Sequence, residues 1–403
     1  MNAAEVEEFS MSILRLTLVA CALVIIELSI GDATLVNGRR PQEPKPPYPY
    51  YEQEVFFLNE KDRVRLAGTL SLPLAKGPFP GVLLITGSGP QDRNDDMFGH
   101  KPFLVLADHL TRLGIAVLRV DDRGVGKSTG SFSVATSQDF AADALAGIEY
   151  LKTRKEIAHG KIGLLGHSEG GLIAPMVAAQ SKDVAFVVMM AGPGLKGEQI
   201  VLGPGGADSN GGWMSNEVVA ENRAAQERIF AIIKHEKDPG VSETKIRKEA
   251  EVFSELALRI KTEAPESIKK TAEAVSASIE GQTQLFLSRW FRFYLLYDPR
   301  TALMNVNCPV LAVNGEKDIQ VPAKENLEAI RQAFESGGNK DYTVLMLPNL
   351  NHMFQTAETG AISEYEEIEE TISSLALDTV TNWILKHTSR GSARETVLTA
   401  GQL

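Results

Sequence analysis

Ser168, Asp318 and His352 have the residue types and the order along the chain that acyl transfer through a covalent intermediate requires. Ser168 lies in Gly166-His167-Ser168-Glu169-Gly170, a G-x-S-x-G pentapeptide. The apolar run 162–165 before it reads as a strand, and the alanine-bearing run 172–179 after it reads as a helix. A serine on so sharp a strand-to-helix turn is pushed out at the strand's carboxyl end, where a substrate can reach it. Its hydroxyl is a poor nucleophile until a neighbouring imidazole takes the proton. That imidazole in turn needs a carboxylate to fix its tautomer and stabilise its charged form. Asn314-Gly315-Glu316-Lys317-Asp318 follows the predicted strand 309–313, and Pro348-Asn349-Leu350-Asn351-His352 follows the predicted strand 342–347. Both loops fall at carboxyl ends of predicted parallel strands, where open α/β sheets place their sites. Glu316 is the rival acid, two residues before Asp318; we prefer Asp318 and read Glu316 as an exposed loop charge.

Acyl transfer also needs backbone N–H groups aimed at the developing alkoxide. One is expected from Glu169, the residue after the nucleophile, and the other from the loop that follows the strand ending at Ile85. That loop reads Thr86-Gly87-Ser88-Gly89-Pro90, and the amide of Ser88 is the nominee, with Gly89 beside it. Gly87, Gly89 and His167 are expected to border the substrate. Other patterns fail on spacing: Gly124-Val125-Gly126-Lys127-Ser128 lacks the earlier glycine of a phosphate loop, since that position is Asp121. Asp92, Asn94, Asp95 and Asp96 lack the glycine and distal glutamate of a calcium loop and read as a solvated loop. Arg123 could buttress the nucleophile or oxyanion loop, or form a structural ion pair. No cofactor or metal is called for, as neither C-x-x-C nor H-E-x-x-H occurs.

The elements that must position these residues alternate. Stretches 54–57 and 64–72 read as a two-strand meander, with Glu60-Lys61-Asp62 as its turn. Strands are then expected at 80–85, 115–120, 162–165 and 184–190, with helices at 102–113, 137–151 and from 172. Apolar strands alternating with helices indicate a mostly parallel sheet covered on both faces. From about 195 to 297 there is no good strand. Helices are expected at 215–235, beyond Ser242 along the stripe Ile246, Ala250, Phe253, Ala257 and Ile260, and at 267–297. Strands resume at 309–313 and 342–347, with a last helix at 372–387. The expected division is a signal peptide (1–33), a proline-rich linker (34–50), a first core part (51–197), a helical insertion (198–297), a second core part (298–388) and a tail (389–403).

Arg15 precedes an apolar run, 16–26, whose length suits a signal-peptide core and is short for a membrane span. Gly31-Asp32-Ala33 offers small residues for cleavage, and the acidic stretch before Met11 points to Met11 as the functional start. Leu18-Val19-Ala20-Cys21 resembles a lipoprotein box, and an uncleaved anchor is the other alternative. Export to the periplasm or medium is the expectation, with membrane attachment only through this segment. The formal net charge of −11 argues against a nucleic-acid partner. Cys21 and Cys308 are too few and too far apart to assign a redox compartment.

With its elbow, acid and histidine placed, the chain resembles the α/β-hydrolase superfamily over about 53–387. G-H-S-E-G-G, T-G-S-G-P-Q-D-R-N, D-D-R-G-V-G-K-S and the run from Asp298-Pro299 to Gln320-Val321-Pro322 look like bacterial carboxylesterases close to serine-aminopeptidase-like hydrolases. The resemblance implies the α/β-hydrolase fold, Ser168, Asp318 and His352 as the triad, and a cap formed by the insertion before Asp298. Thr86-Gly87 departs from the His-Gly of many relatives, and the glycine-rich entry 202–212 departs in length. The expected function is a serine carboxylesterase for a small-molecule ester of short to medium acyl chain. An aminopeptidase or amidase with the same triad is the alternative, with Glu169 or acids of the cap as the groups that could hold a free amine; a non-catalytic binding module is a third reading. Trp290, Phe291, Phe293 and Tyr294 could line an acyl pocket or pack the insertion on the core, and Trp290 and Phe293 are the nominated lining residues.

Overall fold

The computed structural model describes residues 40–203, 216–263 and 281–389. The expected signal peptide, Cys21 and cleavage site lie outside the described residues, as do most of the glycine-rich entry and the tail beyond 389. Eight strands form one sheet: β1 Tyr50–Asn59, β2 Val64–Pro73, β3 Phe79–Ile85, β4 Ala116–Val120, β5 Ile157–His167, β6 Phe186–Met190, β7 Val310–Gly315 and β8 Tyr342–Leu347. They run in the order β1-β2-β4-β3-β5-β6-β7-β8. β1 and β2 are an antiparallel hairpin, and β2 meets β4 antiparallel. All later pairings are parallel, with Leu84 opposite Leu165 and Ile85 opposite Gly166 at the centre. This is the mostly parallel, doubly covered sheet that the strand pattern predicts.

Burial explains why these strands read as continuous apolar runs. Alternate residues of β3 feed two cores: Leu83 and Ile85 join Leu118, Leu164, Ile148 and Ile173 on one face. Val82 and Leu84 join Val117, Leu165, Leu106 and Ile384 on the other. The covering helices are α1 Pro102–Arg112, α2 Ser137–Lys152, α3 Glu169–Ala178, α4 Gly197–Val201, α5 Asn216–His235, α6 Pro239–Glu263, α7 Arg289–Leu296, α8 Arg300–Leu303, α9 Ala323–Gly337 and α10 Ser374–Thr388.

Between β6 and β7 the described residues contain helices and no strand. Ile246 and Ala250 of the expected stripe are buried; the side chains of Phe253, Ala257 and Ile260 lie outside the described ones. The long helix expected over 267–297 is corrected at Ser288. That residue takes extended backbone and caps α7, its Oγ accepting from the Phe291 N–H at 3.0 Å. A second correction is α9, which the sequence reading above does not assign. Its buried Leu327, Ile330, Ala333 and Phe334 follow helical spacing between charged residues.

Parallel pairing brings the loops after β3, β4, β5, β6, β7 and β8 to one edge of the sheet, and every nominated core residue of the site lies on that edge.

Candidate active site

Ser168 stands between β5 and α3 with φ 53° and ψ −117°, a backbone region that a non-glycine residue adopts only when its surroundings force it. The forcing is visible in two glycines. A Cβ on Gly166 would lie 1.9 Å from the Gly170 carbonyl oxygen, and one on Gly170 would lie 2.0 Å from the Ile85 carbonyl oxygen. Only glycine lets the helix start this close to β5 and β3. The Ser168 N–H donates to the Met190 carbonyl at 2.8 Å, tying the elbow to β6.

His352 and Asp318 form a buried pair, with His352 Nδ1 2.7 Å from Asp318 Oδ2. The other carboxylate oxygen accepts from the N–H groups of Gln320 and Val321, each at 2.9 Å, so the loop's own backbone aims it. Glu316 is exposed and accepts from the Asn349 N–H at 3.0 Å, away from the imidazole. The His352 loop is closed on itself. Asn351 Nδ2 donates to Gln355 Oε1 at 2.9 Å, and the Gln355 N–H returns to Asn351 Oδ1 at 3.0 Å. Beneath it, His100 is buried against Tyr365 and Thr371, and loss of water pushes its pKa down to about 4.

His167 connects the two loops. Its Nε2 donates to the His352 carbonyl at 3.0 Å, and the two rings are centred 5.0 Å apart. Its Nδ1 lies 3.6 Å from Asp95 Oδ2. Burial by itself would lower the pKa of His167, and the Asp95 carboxylate outweighs it and holds the ring above its ordinary value. His167 is buried in this contact. Asp95 is fully buried, which corrects the reading of the 92–96 cluster as a solvated loop.

Gly87 borders the elbow: a Cβ placed on it would lie 3.5 Å from that of Ser168. Gly87 and Ser88 are buried, while Gly89, at φ 97°, turns the chain at partial exposure. The loop hangs on the two aspartates that follow β4. Asp122 Oδ1 accepts from Thr86 Oγ1 at 2.7 Å, and Oδ2 accepts from the Gln91 N–H at 3.0 Å. Asp121 receives the Arg93 guanidinium at 2.7 and 2.8 Å. Arg123 turns away to Asp143 and Asp62, so it is a structural ion pair rather than a buttress of either loop.

Glu169 points inward at 2% exposure. Its Oε1 accepts from Ser137 Oγ at 2.5 Å on α2 and from Trp290 Nε1 at 2.7 Å on α7. Burial raises its pKa, while these donors and the nearby Ser88 hydroxyl pull the other way. Trp290 is thus fixed to the residue after Ser168, and its ring stacks on Tyr294 with centroids 5.4 Å apart. Phe293 is half-buried and stacks on Tyr297 at 5.1 Å. The Trp290 ring thus packs between the insertion and the core, while Phe293 is packed against the same apolar cluster. Sequence reading missed the roles of Asp122, Asp95 and Ser137, whose side-chain partners lie more than thirty residues away along the chain. Among the described residues, no group of three His, Cys, Asp or Glu side chains could hold a metal ion. No helix among them is long and apolar enough to cross a membrane.

The sequence pattern of the family described as "Serine aminopeptidase, S33" matches residues 101–359. The esterase EstD of Thermotoga maritima is 24% identical over 338 residues, covering 84% of this chain and 69% of that protein. Two solved structures share the fold at a TM-score of 0.50. A hypothetical protein of Pseudomonas aeruginosa, PA2218, is 15% identical, with 84% of this chain and 94% of that one covered. DcsB, solved in complex with its substrate analogue, is 16% identical, with 84% and 100% covered. These two speak to the α/β-hydrolase fold alone.

Proposed function

Because this chain belongs to the serine aminopeptidase (S33) family of α/β-hydrolases, we propose that it is a serine carboxylesterase acting through Ser168, His352 and Asp318. The observation that carries the reading is the buried His352–Asp318 pair at 2.7 Å, joined through His167 to the strained elbow of Ser168. His352 Nε2 takes the proton of Ser168 Oγ as that oxygen attacks the ester carbonyl. Asp318 holds the Nδ1–H tautomer and stabilises the imidazolium. The amides of Ser88 and Glu169 receive the oxyanion. His352 then protonates the leaving alcohol, and water repeats the sequence on the acyl-enzyme to release the acid. The helical insertion serves as a cap that limits the acyl group to short or medium length, and the N-terminal segment directs export.

The ester reading is favoured over the amide reading that the family description raises. Holding a free amine needs an available carboxylate, and Glu169, the acid next to the nucleophile, is buried and engaged by Ser137 and Trp290. The likeness to an esterase along most of the chain supports the same choice.

Fluorophosphonate labelling of wild type and Ser168→Ala, followed by a panel of p-nitrophenyl esters and aminoacyl amides, tests both parts. Labelling and ester turnover are expected in wild type and lost in the variant. Labelling that persists in Ser168→Ala removes the nucleophile assignment, and faster amide than ester turnover reverses the choice of substrate.

A further inference from the structure

The residues that hold the expected oxyanion loop are not those of the triad, and one of them touches it at both ends. Thr86 and Gln91 bracket Gly87-Ser88-Gly89-Pro90. Asp122 binds both brackets with one carboxyl group, at 2.7 Å to Thr86 Oγ1 and 3.0 Å to the Gln91 N–H. Its own N–H donates to the Gln91 carbonyl at 3.1 Å, so Asp122 and Gln91 are bonded twice. Gln91 in turn, 2% exposed, donates from Nε2 to the Ser88 carbonyl at 3.3 Å. The chain of contacts runs from Asp122 to the Ser88 carbonyl, one residue's span from the Ser88 N–H, through a single buried side chain.

Packing does not hold the loop on every side. A cavity lined by Ile85, Thr86, Gly87, Asp122, Phe140 and Ile173 lies along its first residues. Hydrogen bonds to Asp122 therefore do there what close packing does elsewhere in the core. The orientation of an oxyanion donor matters at the scale of a few tenths of an ångström, because the donor must meet the alkoxide position at 2.7–3.1 Å.

We propose that Asp122 is the positioning residue of the oxyanion loop, clamping it at Thr86 and Gln91 so that the Ser88 amide points at the reacting carbonyl. This rests on the acyl-transfer reading above. The clamp works through geometry and not through charge. Burial raises the Asp122 pKa well above the usual carboxylate range. A neutral acid would still accept from the Gln91 N–H, and its hydroxyl would donate to Thr86 Oγ1. An asparagine can make the same two contacts with its oxygen and its NH2 group.

The test uses the full chain with p-nitrophenyl butyrate, and kcat is expressed per serine labelled by fluorophosphonate, so that misfolded protein does not count. Asp122→Ala is expected to lose kcat by about 10- to 100-fold, short of the 10²–10³ that deletion of an oxyanion donor costs, with KM within about threefold. Affinity for an alkyl trifluoromethyl ketone, which forms an oxyanion on the serine, should fall in parallel. Asp122→Asn should recover most of both. Thr86→Val removes one contact and gives a second, milder arm, about 3- to 10-fold, if the alanine variant does not fold. Three results overturn the clamp: kcat per labelled serine unchanged in Thr86→Val and in any folded Asp122→Ala; a rise in KM alone; or Asp122→Asn as impaired as the alanine. Activity surviving in Ser168→Ala would instead bring down the parent reading, whatever Asp122 does.

Discussion

The carboxyl edge of the sheet and the helical insertion are held together by different forces. At the edge the buried contacts are directional and polar. The Asp318 carboxylate accepts three hydrogen bonds, that of Asp122 two, and Asn351 and Gln355 bond each other three times. In the insertion the described ring and aliphatic contacts are apolar, beside a few buried polar side chains such as Gln226 and Thr283. Phe230, Phe286 and Phe291 meet with ring centroids 5.3–6.3 Å apart, and Ile229, Ile233, Ile246 and Ala250 fill in around them. Hydrogen bonds fix atoms in direction, as proton transfer and oxyanion binding require. Apolar packing fixes volume and tolerates exchange of one hydrophobe for another.

The largest expected effect lies at the edge. Asp318→Asn presents an NH2 group where His352 needs an acceptor, and kcat should fall by about ten-thousandfold. Ester turnover measured beside a thermal melt checks it. A loss under tenfold with the fold intact would mean that the polar edge is structural and not chemical. Gly170→Ala comes next. Its methyl would sit 2.0 Å from the Ile85 carbonyl oxygen, so the elbow must open, at a cost of about 3 kcal/mol and most of the activity. Denaturant unfolding gives the first figure, and a stability within 1 kcal/mol of wild type would show that the elbow has slack.

These two effects touch the part of the site that is legible in the sequence, and the reason is physical. A nucleophile elbow is a local event: glycines, serine and flanking apolar runs stand within about fifteen residues. Asp318 and His352 are each adjacent to an apolar strand, and their meeting follows from parallel strand order. The supports are different. Asp122 to Thr86, Ser137 to Glu169 and Glu169 to Trp290 join residues 36, 32 and 121 positions apart by single side-chain bonds that leave no periodicity behind. Nor does the sequence show that the ring of His167 reaches the His352 carbonyl, 185 positions along the chain. Helix α9 did carry a signal, in the spacing of Leu327, Ile330 and Phe334, that its many charged residues obscure.

A polar edge should also answer to acid. His100, with its pKa held near 4 by burial, binds its proton less readily in the folded chain than at its unfolded value of 6.5. The unfolded chain therefore gains protons first as the pH falls from about 6.5 to 4, and stability is lost across that window. Melts at pH 7 and pH 4.5 should show wild type losing roughly 3–5 °C more than His100→Gln. Equal losses would place acid sensitivity elsewhere. Phe230→Leu, in the apolar insertion, should lower the melting temperature by the same amount at both pH values.

The smallest effect tests the bond that joins the two regions. Trp290→Phe keeps an aromatic ring on Tyr294 and removes the indole N–H from Glu169, leaving Ser137 as donor to the same oxygen. The expected loss is about 1–2 kcal/mol in denaturant unfolding at pH 7. Glu169 makes the sign of the pH dependence opposite to that of His100. Burial raises its folded pKa above 4.5, so folding is penalised as the pH rises from 4.5 through the folded value, and below 4.5 the penalty is absent. Removing the tryptophan donor raises that pKa further. The difference in stability between wild type and Trp290→Phe should therefore be small at pH 4 and grow toward pH 7, whereas a loss due to packing alone would be the same at both. In Glu169→Gln, which has no proton to lose, Trp290→Phe should cost the same at either pH.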